Sequence, residues 1–454
     1  MTTSLFGKDS PPIESHQDLL DYFRSGEKPR AEWRIGTEHE KLGFYRKTRR
    51  PVPYEGPGGI RVILEAIAAD FNWDTIHEGD ILIALTKEGA AITLEPGGQL
   101  ELSGAPLATA HDTCGELRDH LGQLRRISEE SGVVWMALGR NPLIPNGEMP
   151  WMPKERYGIM RDYLPRKGSS AIDMMVGTGT VQTNLDYSDE RDMARKLRVA
   201  TAIAPFLTAL FANSPFAEGR VTGDLSTRGR IWTATDPERC GVVPGVLGEG
   251  FGYREYTEWA LDTPMFFIHR DGHYLNYAGR SFREFLEKGL DGYVATHEDW
   301  ELHLTTLFPE ARLKTFIELR MVDIGPTSMI CALAALTRGI FYDDAALAQA
   351  GHLLAGVAES DYPHLWLEAA RAGLRAEFGG RPFQEWAKEL LDIAEGGLTR
   401  LDARDDGGDN EVKYLAPLHQ IVTSGNTQAD LLVNLWNGEW NHSVEPLFSS
   451  EFII

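Results

Sequence analysis

The stretch Trp33-Arg34-Ile35-Gly36-Thr37-Glu38-His39-Glu40-Lys41-Leu42-Gly43-Phe44 decides the reading of this chain. In an extended strand, side chains alternate between faces, so Glu38 and Glu40 point to one side together. Three more segments repeat the pattern. Thr93-Leu94-Glu95-Pro96-Gly97-Gly98-Gln99-Leu100-Glu101-Leu102-Ser103 puts Gln99 and Glu101 on one face and Leu100 and Leu102 on the other. Its Pro-Gly-Gly bend brings Glu95 back beside them. Thr180-Val181-Gln182-Thr183-Asn184-Leu185-Asp186 aligns Gln182, Asn184 and Asp186 against Val181, Thr183 and Leu185. In Lys314-Thr315-Phe316-Ile317-Glu318-Leu319-Arg320-Met321, Glu318 and Arg320 share a face backed by Ile317, Leu319 and Met321.

One such segment alone would pass for a half-buried antiparallel strand with its polar side in water. Four together say more. Solvated sheet faces mix Lys, Thr, Ser and Glu, whereas these concentrate carboxylates and amide oxygens, and like charges on neighbouring strands repel. Divalent cations would relieve that repulsion, and Mg²⁺ takes carboxylate and amide oxygens in near-octahedral geometry. An oxygen-lined sheet with arginine at its margin suits a nucleoside triphosphate. The sequence contains no GxxxxGK[ST] loop, so metal ions and arginines would hold the phosphates. The fold class expected is α+β: a concave antiparallel sheet lining the active site, with helices packed on its apolar face.

The remaining sequence supports a large globular protein. Its 454 residues carry 67 acidic and 45 basic side chains, a formal charge of −22, which argues against nucleic-acid and anionic-membrane partners. A hydrophobic share of 42% supplies a sizeable core. No clear linker or repeat divides the chain, whose length leaves one large domain or two to three smaller ones open, and the part from about 328 is helix-rich. Leu117, Leu121, Leu124 and Ile127 recur at helical spacing and predict a helix over 111–132. Residues 1–12 lack the basic and apolar regions of a secretory signal, and no stretch is apolar enough to span a bilayer, so a cytoplasmic protein is expected. Loops 54–59 and 241–252 are candidate lids. The segment from His297 to His303 reads as an exposed helix start. His39, opposite Glu38 and Glu40, reads as a packing residue.

With these segments go Tyr157-Gly158-Ile159-Met160-Arg161-Asp162-Tyr163, Ala212-Asn213-Ser214-Pro215-Phe216 and Asn437-Gly438-Glu439-Trp440. Together they resemble the glutamate–cysteine ligases of the plant and proteobacterial type, which have a glutamine-synthetase-like fold. The resemblance implies ATP-dependent joining of the glutamate γ-carboxylate to the cysteine amine through a γ-glutamyl phosphate, the first step of glutathione synthesis. It implies a Mg²⁺ shell of Glu38, Glu40, Glu95, Glu101, Gln182 and Glu318, and gives Arg320 the catalytic task of stabilising the phosphoryl group. More distant members of the superfamily place histidine where Gln182 stands. Within Ser226-Thr227-Arg228-Gly229-Arg230-Ile231-Trp232, Arg230 ahead of Arg228 would hold the glutamate α-carboxylate, with Trp232 against substrate. The contexts of Cys114 and Cys331 resemble a regulatory disulfide pair of the plant relatives, which would leave Cys240 unpaired. The second plant pair has no counterpart here. Partners are the small molecules glutamate, cysteine and ATP, with no nucleic acid and no membrane, and a homodimer stays open. A γ-glutamyl ligase with another amine acceptor, and a non-catalytic metal- or nucleotide-binding protein, are the competing readings. Replacing Glu318 by Ala is expected to abolish turnover and spare the fold, because it thins a like-charged cluster.

Overall fold

In the computed structural model, which describes residues 10–449 and 453, the decisive segment is the central strand of a nine-stranded sheet. The strands are β1 (Ile35–Tyr45), β2 (Asp74–Glu78), β3 (Ile81–Lys87), β4 (Ala90–Leu94), β5 (Leu100–Ser103), β6 (Val133–Met136), β7 (Thr180–Leu185), β8 (Ala311–Leu313) and β9 (Ile317–Asp323). They run in the order β8-β9-β7-β1-β5-β4-β3-β2, with β6 on the far half of β1. Every pairing within this sheet is antiparallel. The four expected segments thus supply β1, β4–β5, β7 and β9, which adjoin one another. Between β4 and β5 the chain reverses through Gly98, whose φ of +85° suits glycine.

The helices that matter for the site are α1 (Ala110–Ser131), α2 (Glu190–Leu210), α3 (Thr227–Trp232), α4 (His297–Leu304), α5 (Thr327–Phe341) and α6 (Phe383–Leu401). α1 starts at Thr109, whose side chain accepts from the Asp112 backbone N–H, and stops at Gly132 in the left-handed region. It occupies nearly the span predicted from its leucine spacing. α5 is buried from Met329 to Phe341, as befits a helix covered on all sides. It packs on β1, β7, α1 and α6 behind the sheet.

One hydrophobic cluster runs from Leu19 to Val422. A smaller one gathers Leu42, Phe44, Val134 and Met136 against Trp440, Leu447 and Phe448 at the far end of β1. Strands β2, β3, β6 and β8 are additions to the sequence reading. β6 is four apolar residues directly after a long helix, and β8 is three residues long; neither shows a period. Cys114 of α1 is bonded to Cys331 of α5, with Cα atoms 5.6 Å apart, so the bridge ties two helices of the apolar face. Cys240 is free. Among the described residues no helix is long and apolar enough to cross a membrane.

Candidate active site

Antiparallel register brings the alternating oxygens together. Glu40 lies across from Glu101, Glu38 across from Gln182 and Ser103, and Thr93 across from Glu101; residues directly opposite share a face. Glu38, Glu40, Glu95, Glu101, Gln182 and Arg320 all line one cleft of about 260 Å³, with Arg228 and Trp232 of α3 on its wall. Glu318 sits beneath that surface, fully buried.

The cleft has two electrostatic halves. In one, burial and then the neighbouring Glu95 and Glu101 carboxylates push the Glu40 carboxyl well above its usual range. Burial, Glu38 and Glu95 push Glu101 up to about 8. The local donors are few: Thr93 Oγ1 at 3.1 Å and Ser103 Oγ at 2.9 Å to Glu101, and the Thr180 N–H at 3.2 Å to Glu40. In the other half, burial opposes ionisation of Glu318, but Arg312, Arg320 and Lys314 outweigh it and hold the carboxyl well below the carboxylate range. Arg312 donates to Glu318 from Nε at 2.9 Å and Nη2 at 2.6 Å. Arg320 donates to Glu318 and, at 2.9 Å, to Gln182 Oε1. Glu38 accepts from Asn184 Nδ2 at 2.7 Å.

These contacts bear on metal binding. No three Asp, Glu, His or Cys residues are preassembled as a chelate among the described residues. Glu40, Glu95 and Glu101 nonetheless offer hard oxygen donors whose mutual repulsion a divalent cation would relieve, so their chemistry fits such an ion. Gln182 and Glu318 are different, because arginines already occupy their oxygens. The expectation that Glu318 could be deleted without harm to the fold is corrected here. Glu318 is the counter-ion of two buried guanidiniums, and its loss would strand both.

The structure places the two candidate arginines on different sides of α3. Arg228 is buried on the cleft wall and donates to the backbone carbonyls of Met321 at 3.0 Å and Arg320 at 2.7 Å. Its helix is clamped from below by Asp323, which accepts from Ser214 Oγ, Ser226 Oγ and the Asn213 N–H. Arg230 lies off the cleft and pairs with Asp224 at 2.7 Å, half exposed. Two residues apart on a helix are about 200° apart around its axis, so only one of the two can face the cleft.

The proposed lids, 54–59 and 241–252, do not line the cleft. Its walls come instead from Lys154, Arg156 and Tyr157 on one side and from α4 and the β8–β9 turn on the other. Glu298 and Glu301 of α4 face the cleft, and His303 is buried rather than part of an exposed helix start. Burial drops His303 to about 4, with its Nε2 hydrogen-bonded to the Ala260 carbonyl at 2.8 Å. α4 therefore carries a cleft face and a core face. His39 is buried on the reverse of the sheet, its Nδ1 bonded to Lys41 Nζ at 2.7 Å. No periodicity marks Lys154 and Arg156, which stand at and just after the start of a short helix (Glu155–Tyr163); the nearby motif at Tyr157 was the available signal.

The profile of glutamate-cysteine ligase family 2 matches residues 34–450. The chain is 43% identical over 451 residues to the chloroplastic glutamate–cysteine ligase of Brassica juncea, covering 97% of this chain and 86% of the relative. It is 42% identical to glutamate–cysteine ligase B, chloroplastic, of Oryza sativa subsp. japonica, covering 97% and 89%. Among solved structures it is similar in fold to a glutamate–cysteine ligase of Francisella tularensis in complex with AMP, with a TM-score of 0.53, 13% identity, and 93% and 90% of the two chains covered. The expectation of a cytoplasmic protein is not supported by these relatives, which are named chloroplastic enzymes. The composition of residues 1–12 spoke only against a secretory signal and could not choose among other compartments.

Proposed function

The chain belongs to glutamate–cysteine ligase family 2, and from that premise we propose that its cleft joins the glutamate γ-carboxylate to the cysteine amine at the expense of ATP, with residues 1–454 acting as one catalytic unit. The observation that carries this reading is the unbalanced trio Glu40, Glu95 and Glu101 facing Arg228 and Arg320 across one cavity.

The chemistry has two parts. A γ-carboxylate oxygen bonds to the terminal phosphorus of ATP as the bond from that phosphorus to the bridging oxygen breaks, and ADP departs with the electron pair. The cysteine nitrogen then bonds to the acyl carbon, phosphate leaves with its electrons, and the nitrogen gives up its proton. An anion attacking an anion needs fixed positive charge. Arg320, held by Glu318 and Gln182, presents a guanidinium whose orientation is set before substrate arrives. Arg228, anchored on two carbonyls, presents a second and would hold the glutamate α-carboxylate. Mg²⁺ is the ion proposed for Glu40, Glu95 and Glu101, where it would neutralise phosphate charge. Glu38 and Trp232 complete the wall.

ADP release is the test, measured with glutamate and cysteine together, with each alone, and with other amines in place of cysteine, over a Mg²⁺ titration. Release that needs both amino acids and the metal supports the reading. Equal rates with unrelated amines would favour another acceptor, and no release would sink the ligase reading. A homodimer is a separate proposal, checked by analytical ultracentrifugation.

A further inference from the structure

We propose that Lys314 is a further catalytic residue, the cation that meets the phosphoryl group as it passes from nucleotide to substrate carboxylate. This rests on the ligase reading above. Lys314 begins the three-residue turn Lys314-Thr315-Phe316 between β8 and β9, closed by the Leu313–Ile317 pair, and all three turn residues line the cleft.

The backbone of this turn is pinned. The Lys314 N–H donates to the Phe316 carbonyl at 2.8 Å, and the Lys314 carbonyl accepts from the Tyr187 hydroxyl at 3.1 Å. Gly26 lies so close that a Cβ there would fall 2.3 Å from the Thr315 oxygen. The ammonium, by contrast, is left with its donors unused. Nζ lies 4.8 Å from the centre of the Phe316 ring, and among the described residues it makes no ion pair and no hydrogen bond.

The other cleft cations are anchored. Arg312 is spent on Glu318, and Arg320 is held through its Nη1 by Glu318 and Gln182. Arg228 is held by two carbonyls and Lys154 by the Leu94 carbonyl at 2.9 Å. Arg156 lies over the Phe267 ring and bonds to Tyr274. Lys314 feels the attraction of Glu38 and Glu318 without pairing with either, which keeps the ammonium beside the carboxylate cluster. Three free donors on a compact charge suit a group that moves during the reaction, where a rigid guanidinium fork would fit only one position. As the oxygen–phosphorus bond to glutamate forms and the bond to ADP breaks, the ammonium would follow the charge on the transferring oxygens, neither gaining nor losing a proton.

The test compares Lys314→Met, which keeps the stem and removes the charge, with Lys314→Arg. Lys314→Met should lower kcat/KM for ATP by about 10²- to 10³-fold, the usual cost of one preorganised charge-stabilising donor, with Lys314→Arg recovering part of it. A non-hydrolysable ATP analogue with Mg²⁺ should raise the melting temperature of the parent protein more than that of Lys314→Met, whose unliganded melting temperature should match the parent. An active parent with Lys314→Met equally active would overturn the proposal. So would a lower unliganded melting temperature with unchanged kcat/KM, which would make Lys314 a mere counter-charge for Glu38 and Glu318. Absence of ADP release from the parent would defeat the ligase reading instead, and the analogue shift would still decide whether Lys314 meets phosphate.

Discussion

Two groups of carboxylates, one beneath the cleft and one lining it, behave in opposite ways. Around Glu318 the protein's own charges offset the carboxylate, since Arg312 and Arg320 both reach it. Around Glu40, Glu95 and Glu101 they do not, and burial with mutual repulsion pushes Glu40 and Glu101 toward the protonated form. The first group is finished by folding. The second is finished only by something cationic from outside. Structural and ligand-binding roles in one cleft are therefore separable by asking which charges the chain itself neutralises.

The largest effect should come from breaking the finished half. Glu318→Ala should abolish turnover and cost about 3–5 kcal/mol of stability, because two buried guanidiniums lose their counter-ion. Denaturant melts with and without Mg²⁺ would check this. A variant as stable as the parent would mean that Glu318 belongs with the unbalanced half after all.

Next is the scaffold behind both halves. The Cys114–Cys331 bond closes a loop of 217 residues between α1 and α5, and native disulfides of this kind contribute about 2–4 kcal/mol. Reductant should lower the melting temperature of the parent and leave that of Cys114→Ser unchanged. Equal response of both proteins would show that the bond does not support the sheet.

Much of this arrangement was legible in the sequence, and the gaps have physical reasons. Period-two alternation exposes which residues share a face, so β1, β5, β7 and β9 and their oxygens could be read directly. The partner that neutralises Glu318 could not be, because Arg312 sits on a three-residue strand with no pattern of its own and meets Glu318 only through the β8–β9 register. For the same reason Lys314 read as the start of a strand when it is a turn. Arg228 and Arg230 had to face opposite ways on α3, but sequence could not say which faced in. That needed Asp323 beneath the helix and Asp224 outside it.

A smaller effect should sharpen the unbalanced half. Glu101→Gln removes a carboxyl that repels its neighbours once ionised, so above about pH 8 it should stabilise the metal-free protein by about 1–2 kcal/mol while weakening Mg²⁺ binding. The pH dependence has a definite sign. Glu101 binds its proton more tightly folded than unfolded, about 8 against 4.5, so its contribution is present below about 4.5 and lost as pH rises through 8. The metal-free parent should therefore lose stability over that window more steeply than Glu101→Gln. Parallel curves would remove Glu101 from the unbalanced cluster.

The smallest effect belongs to Arg230, and it tests where the boundary of the cleft lies. The Arg230–Asp224 pair is partly in water, with the arginine side chain 38% exposed, and such pairs contribute no more than about 1 kcal/mol to stability. Arg230→Ala should thus keep kcat/KM for glutamate within about twofold, a change of less than 0.5 kcal/mol at RT near 0.6 kcal/mol. Arg228→Ala, on the other side of the same short helix, removes a buried guanidinium that faces the cavity, and it should raise KM for glutamate or lower kcat by far more. Steady-state kinetics on the two variants decide the matter together. A tenfold loss in Arg230→Ala with Arg228→Ala active would reverse the assignment and place the glutamate carboxylate on the Asp224 side of α3, outside the cleft that the alternating strands define.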